Sequence, residues 1–454
     1  MKKYCFLASM VLMCIILASC KKYLDAKSNA RLVTPQSLKD IQGILDDAEL
    51  MNLSTTPSFG ESSGDDSFLL PEAYSSYFVA FQNIYRWVPI ELKFGNDWSQ
   101  GYLAIYNANL SLDLLTKVER STSNAQAWDN IQGSALFFRA YYLLGLCSTY
   151  AKVYNDQTAD QDLGVVLRLT SDFNIPSVRS SVNECYARII KDITQSIDLL
   201  PTYPQHVMRP SKGAALALLA RTYLYMGKYE LARNYASEAL KINSALMDYN
   251  GDAFINNITA DVPFKRFNPE TIFYSEMGSY TLVHTPDRSR IDTNLVSAYA
   301  LADLRKVAYF NNVSGYQQYK GSYASNFYIN FSGLATDELY LTRAECNAIL
   351  GQLDQGLEDI NFLLKKRWDK SKTFIPISAT SKSDLLAKVR LERRKELLLR
   401  GLRWMDIKRY NREGEQISLY RKIDNTLITL KPNDPYYALP IPTDVIEQSG
   451  IPQN

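Results

Sequence analysis

The chain has 454 residues, 46% of them hydrophobic, and 50 Lys and Arg stand against 48 Asp and Glu. That length buries a large core, and the near-balanced charge supplies no basic surface to draw in nucleic acid. With 31 Tyr against 2 His, the chain is poor in the commonest general base and metal ligand and rich in a side chain with an apolar face and a hydroxyl handle, which leans toward binding and away from catalysis.

Lys2 and Lys3 open the chain, Phe6 to Leu17 run apolar without a charge, and Ala18 and Ser19 are small. This pattern predicts a secretion signal over residues 1–19, since a membrane span needs about 20 apolar residues. Leu17-Ala18-Ser19-Cys20 resembles a bacterial lipobox, so Cys20 is expected to become the lipid-bearing N-terminus and to tether the protein; an ordinary signal peptide with an incidental cysteine is the plainer alternative. Losing residues 1–19 removes two lysines and no acid, which takes the formal charge from +2 to zero. Cys147, Cys185 and Cys346 fall in helical patterns and are expected as buried free thiols.

Residues 20–35 read as an extended arm, Leu38 to Met51 as a short helix, and 52–97 as long loops rich in Ser, Gly, Pro and aromatics. From Trp98, WSQGYLAIYNANLSLDLLTKV and then AWDNIQGSALFFRAYYLLGLCSTYAKVY show helical periodicity and predict an antiparallel pair. A further helix runs through SVNECYARIIKDITQSIDLLP, ended by Pro201. In the next segment Ala220, Tyr223, Gly227, Tyr229, Ala232 and Ala239 occupy the small and aromatic positions of a 34-residue tetratricopeptide repeat. Ala344, Gly351, Gly356 and Leu363 repeat that spacing, although two unrelated helical hairpins would also fit. Between them, residues 246–333 hold loops and short β-like stretches such as TIFYSEM and NFYINF; residues 381–410 return to helix, and the tail from Asn411 reads as loops. The expected fold is mostly α, a tetratricopeptide-like helix-pair scaffold with long irregular loop insertions and short β elements, its function carried by the loops.

Gly60-Glu61-Ser62-Ser63-Gly64 fits the G-x-S-x-G pattern of hydrolase nucleophiles, but no strand precedes it, no helix directly follows, and neither His206 nor His284 is marked as a base. Phosphate-binding loops, H-E-x-x-H helices and Cys-x-x-Cys pairs are absent from the sequence, so neither a cofactor nor a metal is expected. Asp65-Asp66 lacks the oxygen ladder of a calcium loop and reads as a polar edge for hydrogen bonding. The run LERRKELLLRGLRWMDIKRY reads as a structural ion-pair helix: Glu396 and Arg400 are four apart, and Glu392 and Asp406 offer partners to Arg393, Arg394, Arg403 and Arg409.

Within that run, Glu392 to Leu397 followed by Gly401 to Arg409 resembles the C-terminal signature of the SusD/RagB family of nutrient-uptake lipoproteins, with Arg400 where the family usually has an acid. Cys20 to Asp25, Trp98 to Asn109, Gly133 to Tyr141, Arg209 to Ala215, Asp303 to Arg305, Tyr436 to Pro442 and Gln453-Asn454 extend the resemblance over nearly the whole mature chain. It implies a lipoprotein signal peptide (1–19), an N-terminal part (20–245) and a C-terminal part (246–454), the last two forming one globule. It further implies a non-enzymatic lid, lipid-anchored at the outer membrane and facing outward, on a SusC/RagA-like TonB-dependent barrel. Such a lid captures oligosaccharides, or peptides in some branches, without cleaving them. A repeat-type scaffold lipoprotein that binds only proteins is the competing reading. Ligand residues do not carry over from the resemblance, so side-chain chemistry selects the candidates. Tyr85, Trp87, Tyr316 and Tyr323 would stack on sugar C–H faces and Asp65, Asp66 and Asn83 would bond to hydroxyls, with core packing the alternative for each aromatic. Trp98 and Trp404 are assigned to the scaffold.

Overall fold

Helix starts in this chain are set by short polar side chains that satisfy amides a helix leaves without partners. Asn96 opens α4 (Asp97–Leu115) by accepting from the Ser99 N–H while Ser99 Oγ accepts from the Asn96 N–H, and Ser181 and Glu184 do the same for α6 (Val182–Leu199). Between them α5 (Ala125–Tyr150) is buried nearly all round from Ile131 onward, which places it at the centre of the core. The computed structural model describes residues 35–91, 95–279 and 283–454. The expected signal, Cys20 and nearly all of the extended arm lie outside the described residues.

α7 (Lys212–Met226) and α8 (Tyr229–Ile242) form the first expected repeat pair, and α9 (Thr336–Ile349) and α10 (Leu353–Arg367) the second. Gly227 ends α7 at φ +76°, in the left-handed region, and a β-carbon there would stand 2.9 Å from Arg412 Nη2. Along the stack from α4 to α10, each helix packs on the one numbered after it, α8 on α9 across the intervening segment. Because α8 packs directly on α9, the roughly ninety residues between them leave the stack and return to it. They form the insertion above the scaffold, with its own core around Tyr249, Phe264, Tyr309 and Tyr323. Cys147, Cys185 and Cys346 are buried free thiols.

Several segments expected as loops are ordered. Residues 52–97 contain α2 (Phe59–Ser63), β1 (Ser67–Leu69) and α3 (Val79–Tyr85), while Leu38 to Met51, expected as one short helix, divides into α1 (Leu38–Leu45) and the helical turn Ala48–Met51. Among the described residues the strands form two-stranded antiparallel pairs: β1 with β5 (Ser289–Ile291), β2 (Leu163–Val166) with β3 (Arg179–Ser181), β4 (Thr271–Phe273) with β8 (Leu334–Ala335), and β6 (Phe310–Val313) with β7 (Tyr316–Tyr319). TIFYSEM supplies β4, whereas NFYINF is a turn that joins the sheet region through a single bridge from Phe331 to Glu276. In the tail, β9 (Leu419–Ile423) and β10 (Thr426–Leu430) make a hairpin whose two-residue alternation buries Leu419 and Arg421 and exposes Tyr420 and Lys422.

Buried ion pairs bind these pieces together. From α11 (Lys382–Glu396) and α12 (Arg403–Arg412), Arg393 and Arg409 converge on Asp406 at 2.8 and 2.9 Å, and Arg409 also reaches Glu345 of α9 at 2.6 Å. Arg221 of α7 pairs with Glu338 of α9 at 2.6 Å. The expected pair of Glu396 with Arg400 does not form, because α11 stops at Glu396 and Leu399 and Gly401 turn the chain through positive φ. Glu396 instead takes Arg305 and Arg367, at 2.9 and 2.8 Å, while Arg400 turns to Asp337 at 3.0 Å. Glu392 serves Arg305 and Lys395, and Arg394 and Arg403 reach Asp66 and Asp65.

Removing one partner of a buried pair costs about 3–5 kcal/mol. Arg409→Leu is therefore expected to lower the urea unfolding midpoint clearly, while Lys241→Ala, which breaks an exposed pair with Glu238, leaves it nearly unchanged. Equal shifts in the two variants, read by circular dichroism, would contradict a network that locks the fold.

Candidate ligand-binding site

The insertion and the segment around β1 together build an exposed aromatic ledge. Phe68 lies opposite Arg290 in the β1–β5 pairing, and alternation turns Ser67 and Leu69 inward and Phe68 outward. Arg288 precedes Arg290 by two residues and so shares its side of the strand line. Tyr316, at the start of β7, sets its ring edge-on to Phe68 with centroids 5.4 Å apart. The Arg288 guanidinium lies 6.0 Å over Tyr77, whose ring meets Phe81 at 6.5 Å, and Phe81 meets Phe78 at 6.1 Å. Arg290 thus stands opposite one aromatic pair and Arg288 over the other group; Phe78 is 80% and Tyr316 38% exposed, while Tyr77 is buried.

The ledge is braced from below. Tyr85 Oη accepts from the Leu69 N–H at 3.0 Å, tying α3 to β1. Arg421 of β9 donates to the carbonyls of Gly64, Ser67 and Tyr85 and lies over the rings of Tyr85 and Trp87. Flat apolar rings beside cationic donors suit a ligand that offers both C–H faces and hydroxyls.

The structure distributes the sequence candidates unevenly. Tyr316 is on the ledge. Asn83 is half-buried, its Oδ1 accepting from Arg86 at 2.8 Å. Tyr85 is buried beneath the ledge, and Trp87 is buried with Nε1 donating to the Ser63 carbonyl at 3.0 Å. Tyr323 is enclosed in the insertion core, donating to Glu270 at 2.7 Å. Asp65 and Asp66 are engaged by Arg403 and Arg394; burial opposes ionisation of Asp65, but the two guanidiniums hold its carboxyl far below the usual range. The Asp65 and Asp66 carboxylates are thus taken up by guanidiniums, and among the aromatic candidates Tyr316 is the exposed one. Phe68, Tyr77, Phe78, Phe81, Arg288 and Arg290 were not singled out from sequence, although SSYFVAF is more aromatic than a plain loop requires and Phe68 follows the two-residue alternation of a strand.

Ser62 Oγ does meet His284 Nδ1, at 2.8 Å. Both residues are 2% exposed, the serine lies inside α2, and burial pushes the imidazole down to about 4. Among the described residues the pair forms a buried hydrogen bond between two segments distant in sequence. The carboxylates of Glu270, Asp337 and Glu396 gather within 4.8 Å and are the one described cluster with metal-ligand spacing. Arg367, Arg400 and Arg305 already face them, which supplies the positive charge a cation would bring. Trp98 packs on Tyr150 and Trp404 stacks on Tyr437, both in the core.

Residues 22–224 match a family described as starch-binding and associating with the outer membrane, and residues 271–453 match the SusD family. Solved structures share the fold at low identity. A SusD superfamily protein from Bacteroides thetaiotaomicron is 20% identical with a TM-score of 0.71, over 92% of this chain and 99% of that one. A SusD-like carbohydrate binding protein from Bacteroides vulgatus is 20% identical with a TM-score of 0.65, over 92% and 97%. Surface glycan-binding protein A from Bacteroides fluxus is 17% identical with a TM-score of 0.68, over 92% and 99%. No curated protein matches the chain.

Glu61, beside Ser62, accepts from the Gly401 N–H at 2.9 Å, and burial followed by the charge of Asp66 pushes its carboxyl up to about 8. The folded state then holds a proton that the unfolded chain releases near 4.5, so this group's stabilisation is complete below that value and is lost as pH rises toward 8, at up to about 1.4 kcal/mol per unit. Glu61→Gln is expected to flatten that loss. Urea midpoints at pH 5 and 8 check it, and an identical pH slope in wild type and variant would sink the assignment.

Proposed function

The chain belongs to the SusD/RagB family, and from that premise we propose that it captures oligosaccharides at a bacterial outer membrane without cleaving them. Lipid on Cys20 tethers it, facing outward, and the captured sugar passes to a SusC-like TonB-dependent barrel. The helix stack serves as the rigid body and the barrel-facing surface, and the aromatic ledge takes the ligand. The observation that carries this reading is the exposed ring of Tyr316, set edge-on to Phe68, which lies opposite Arg290 in the β1–β5 pairing. A pyranose stacks on such a ring through its C–H face while its hydroxyls bond to the neighbouring guanidiniums.

Titration calorimetry of the protein with a pool of oligosaccharides, and separately with a protein digest, tests this while product is monitored. Saturable heat from the sugar pool without product is expected, weakened about tenfold by Tyr316→Ala, a loss of about 1.4 kcal/mol. Heat from the digest alone would move the ligand class to peptides, and turnover would overturn the non-catalytic reading.

A further inference from the structure

A second hollow, separate in sequence from every part of the ledge, lies where the end of α10 and the loop after it meet residues 248–252 of the insertion; its volume is about 830 Å³. Its floor is aromatic. Trp368 is half-buried and held on several sides: Nε1 donates to the Thr373 carbonyl at 3.2 Å, its own carbonyl accepts from Asn250 Nδ2 at 2.8 Å, and Phe374 meets its ring edge-on at 5.7 Å. Asn250 Oδ1 in turn accepts from the Lys370 N–H at 2.9 Å, so the loop that follows the tryptophan is fixed as well. Phe362, 46% exposed, adds a further apolar face.

The rim is cationic. Lys365, Lys366, Lys370 and Lys372 all line the hollow, against Asp248 and Asp252. Asp248 lies 3.5 Å from Lys366, and Asp252 accepts from the Phe254 N–H, whereas Lys365, Lys370 and Lys372 make no ion pair among the described residues. Three lysines without an ion pair among the described residues line the same hollow as a pinned indole, with Asp369 near Lys370 and Lys372, and together they select a ligand with negative charge and a flat apolar face.

We propose that this groove is a second carbohydrate site, which takes an oligosaccharide bearing carboxylate or sulfate groups; it rests on the reading that the protein captures glycans. The indole stacks on a sugar ring, the lysines neutralise the acid groups, and Asn250 holds the platform in place. The size is that of a small-ligand cleft. No described strand lines it, so an extended peptide has no edge to pair with. A hollow with an aromatic floor also fits a lipid headgroup surface poorly, since a bilayer meets a convex face.

The test titrates the purified protein with two anionic probes, a sulfated chondroitin tetrasaccharide and an oligogalacturonide, and with a neutral maltooligosaccharide. Trp368→Ala is expected to weaken at least one anionic probe tenfold or more. Joint replacement of Lys365, Lys370 and Lys372 by Gln, at exposed or rim positions that leave folding intact, is expected to do the same and to remove its salt dependence. Lys241→Ala, which removes an exposed cation of α8 outside both sites, is expected to leave that probe within twofold. Absence of anionic binding in the wild type, retention in both groove variants, or loss in Tyr316→Ala alone would overturn the proposal. So would tighter binding of an acidic peptide or of phosphatidylglycerol vesicles. Neutral-sugar binding that persists in the groove variants keeps the ledge reading apart from this one, and failure of the neutral probe with anionic binding intact would fault the ledge and spare the groove.

Discussion

A buried guanidinium is tolerated only where carboxylates meet it, since an uncompensated charge in the interior costs several kcal/mol. Arg305, Arg367, Arg393 and Arg409 have at most 1% of their side chains in contact with solvent, and the need to pair each one fixes the relative positions of segments far apart in sequence. Arg305 joins the insertion to α11, Arg367 joins α10 to both the insertion and α11, and Arg409 joins α12 to α9. Such pairs add little stability over well-packed apolar groups. Their effect here is on uniqueness: the acids come from different elements, so a misplaced segment leaves a charge stranded.

The same network reaches the ledge. Asp65 and Asp66 follow α2 after Gly64 and are held by Arg403 and Arg394, and β1 begins at the next residue. Side chains alternate along a strand, so a slip of one residue would turn Phe68 inward and Leu69 outward. The two ion pairs, with Arg421 on the carbonyls of Gly64 and Ser67, fix that register. Asp65 and Asp66 thus shape the exposed surface without touching what lies on it.

Periodicity carried most of the scaffold. Glycines with small residues at tetratricopeptide spacing marked both helix pairs, because a turn at positive φ and a close helix approach each demand those residues; Gly356, whose β-carbon would stand 2.9 Å from Leu385, shows the second demand. Short elements were harder to read. α2, β1 and the β9–β10 hairpin are held by contacts from distant segments, and their few residues give too short a window for a period. The ion-pair run was legible as structural, yet Glu396 and Arg400 paired elsewhere because the helix assumed between them ends. Composition identified the aromatic loops as the interesting region, but tyrosine and tryptophan look alike whether they face a ligand or a core. Tyr323 and Trp87 went inside because Glu270 and the Ser63 carbonyl satisfy their polar atoms there.

If the protein captures and releases glycans as proposed, an open ledge and a pinned groove meet different demands. Each stacked ring contributes on the order of 1 kcal/mol beyond its buried area, so affinity on an open surface accumulates slowly and stays far from the nanomolar range, which needs about 12 kcal/mol. Weak, additive contacts suit a polymer that must slide off intact. The proposed groove would reach comparable affinity with fewer sugar units, because its indole is already immobilised and its lysines act at range through solvent. Charge would then decide which glycans are retained, and the aromatic ledge would act on the shared geometry of sugar rings. The end of α10 lends Phe362, Lys365 and Lys366 to the groove, whereas the ledge is built from segments outside the helix stack.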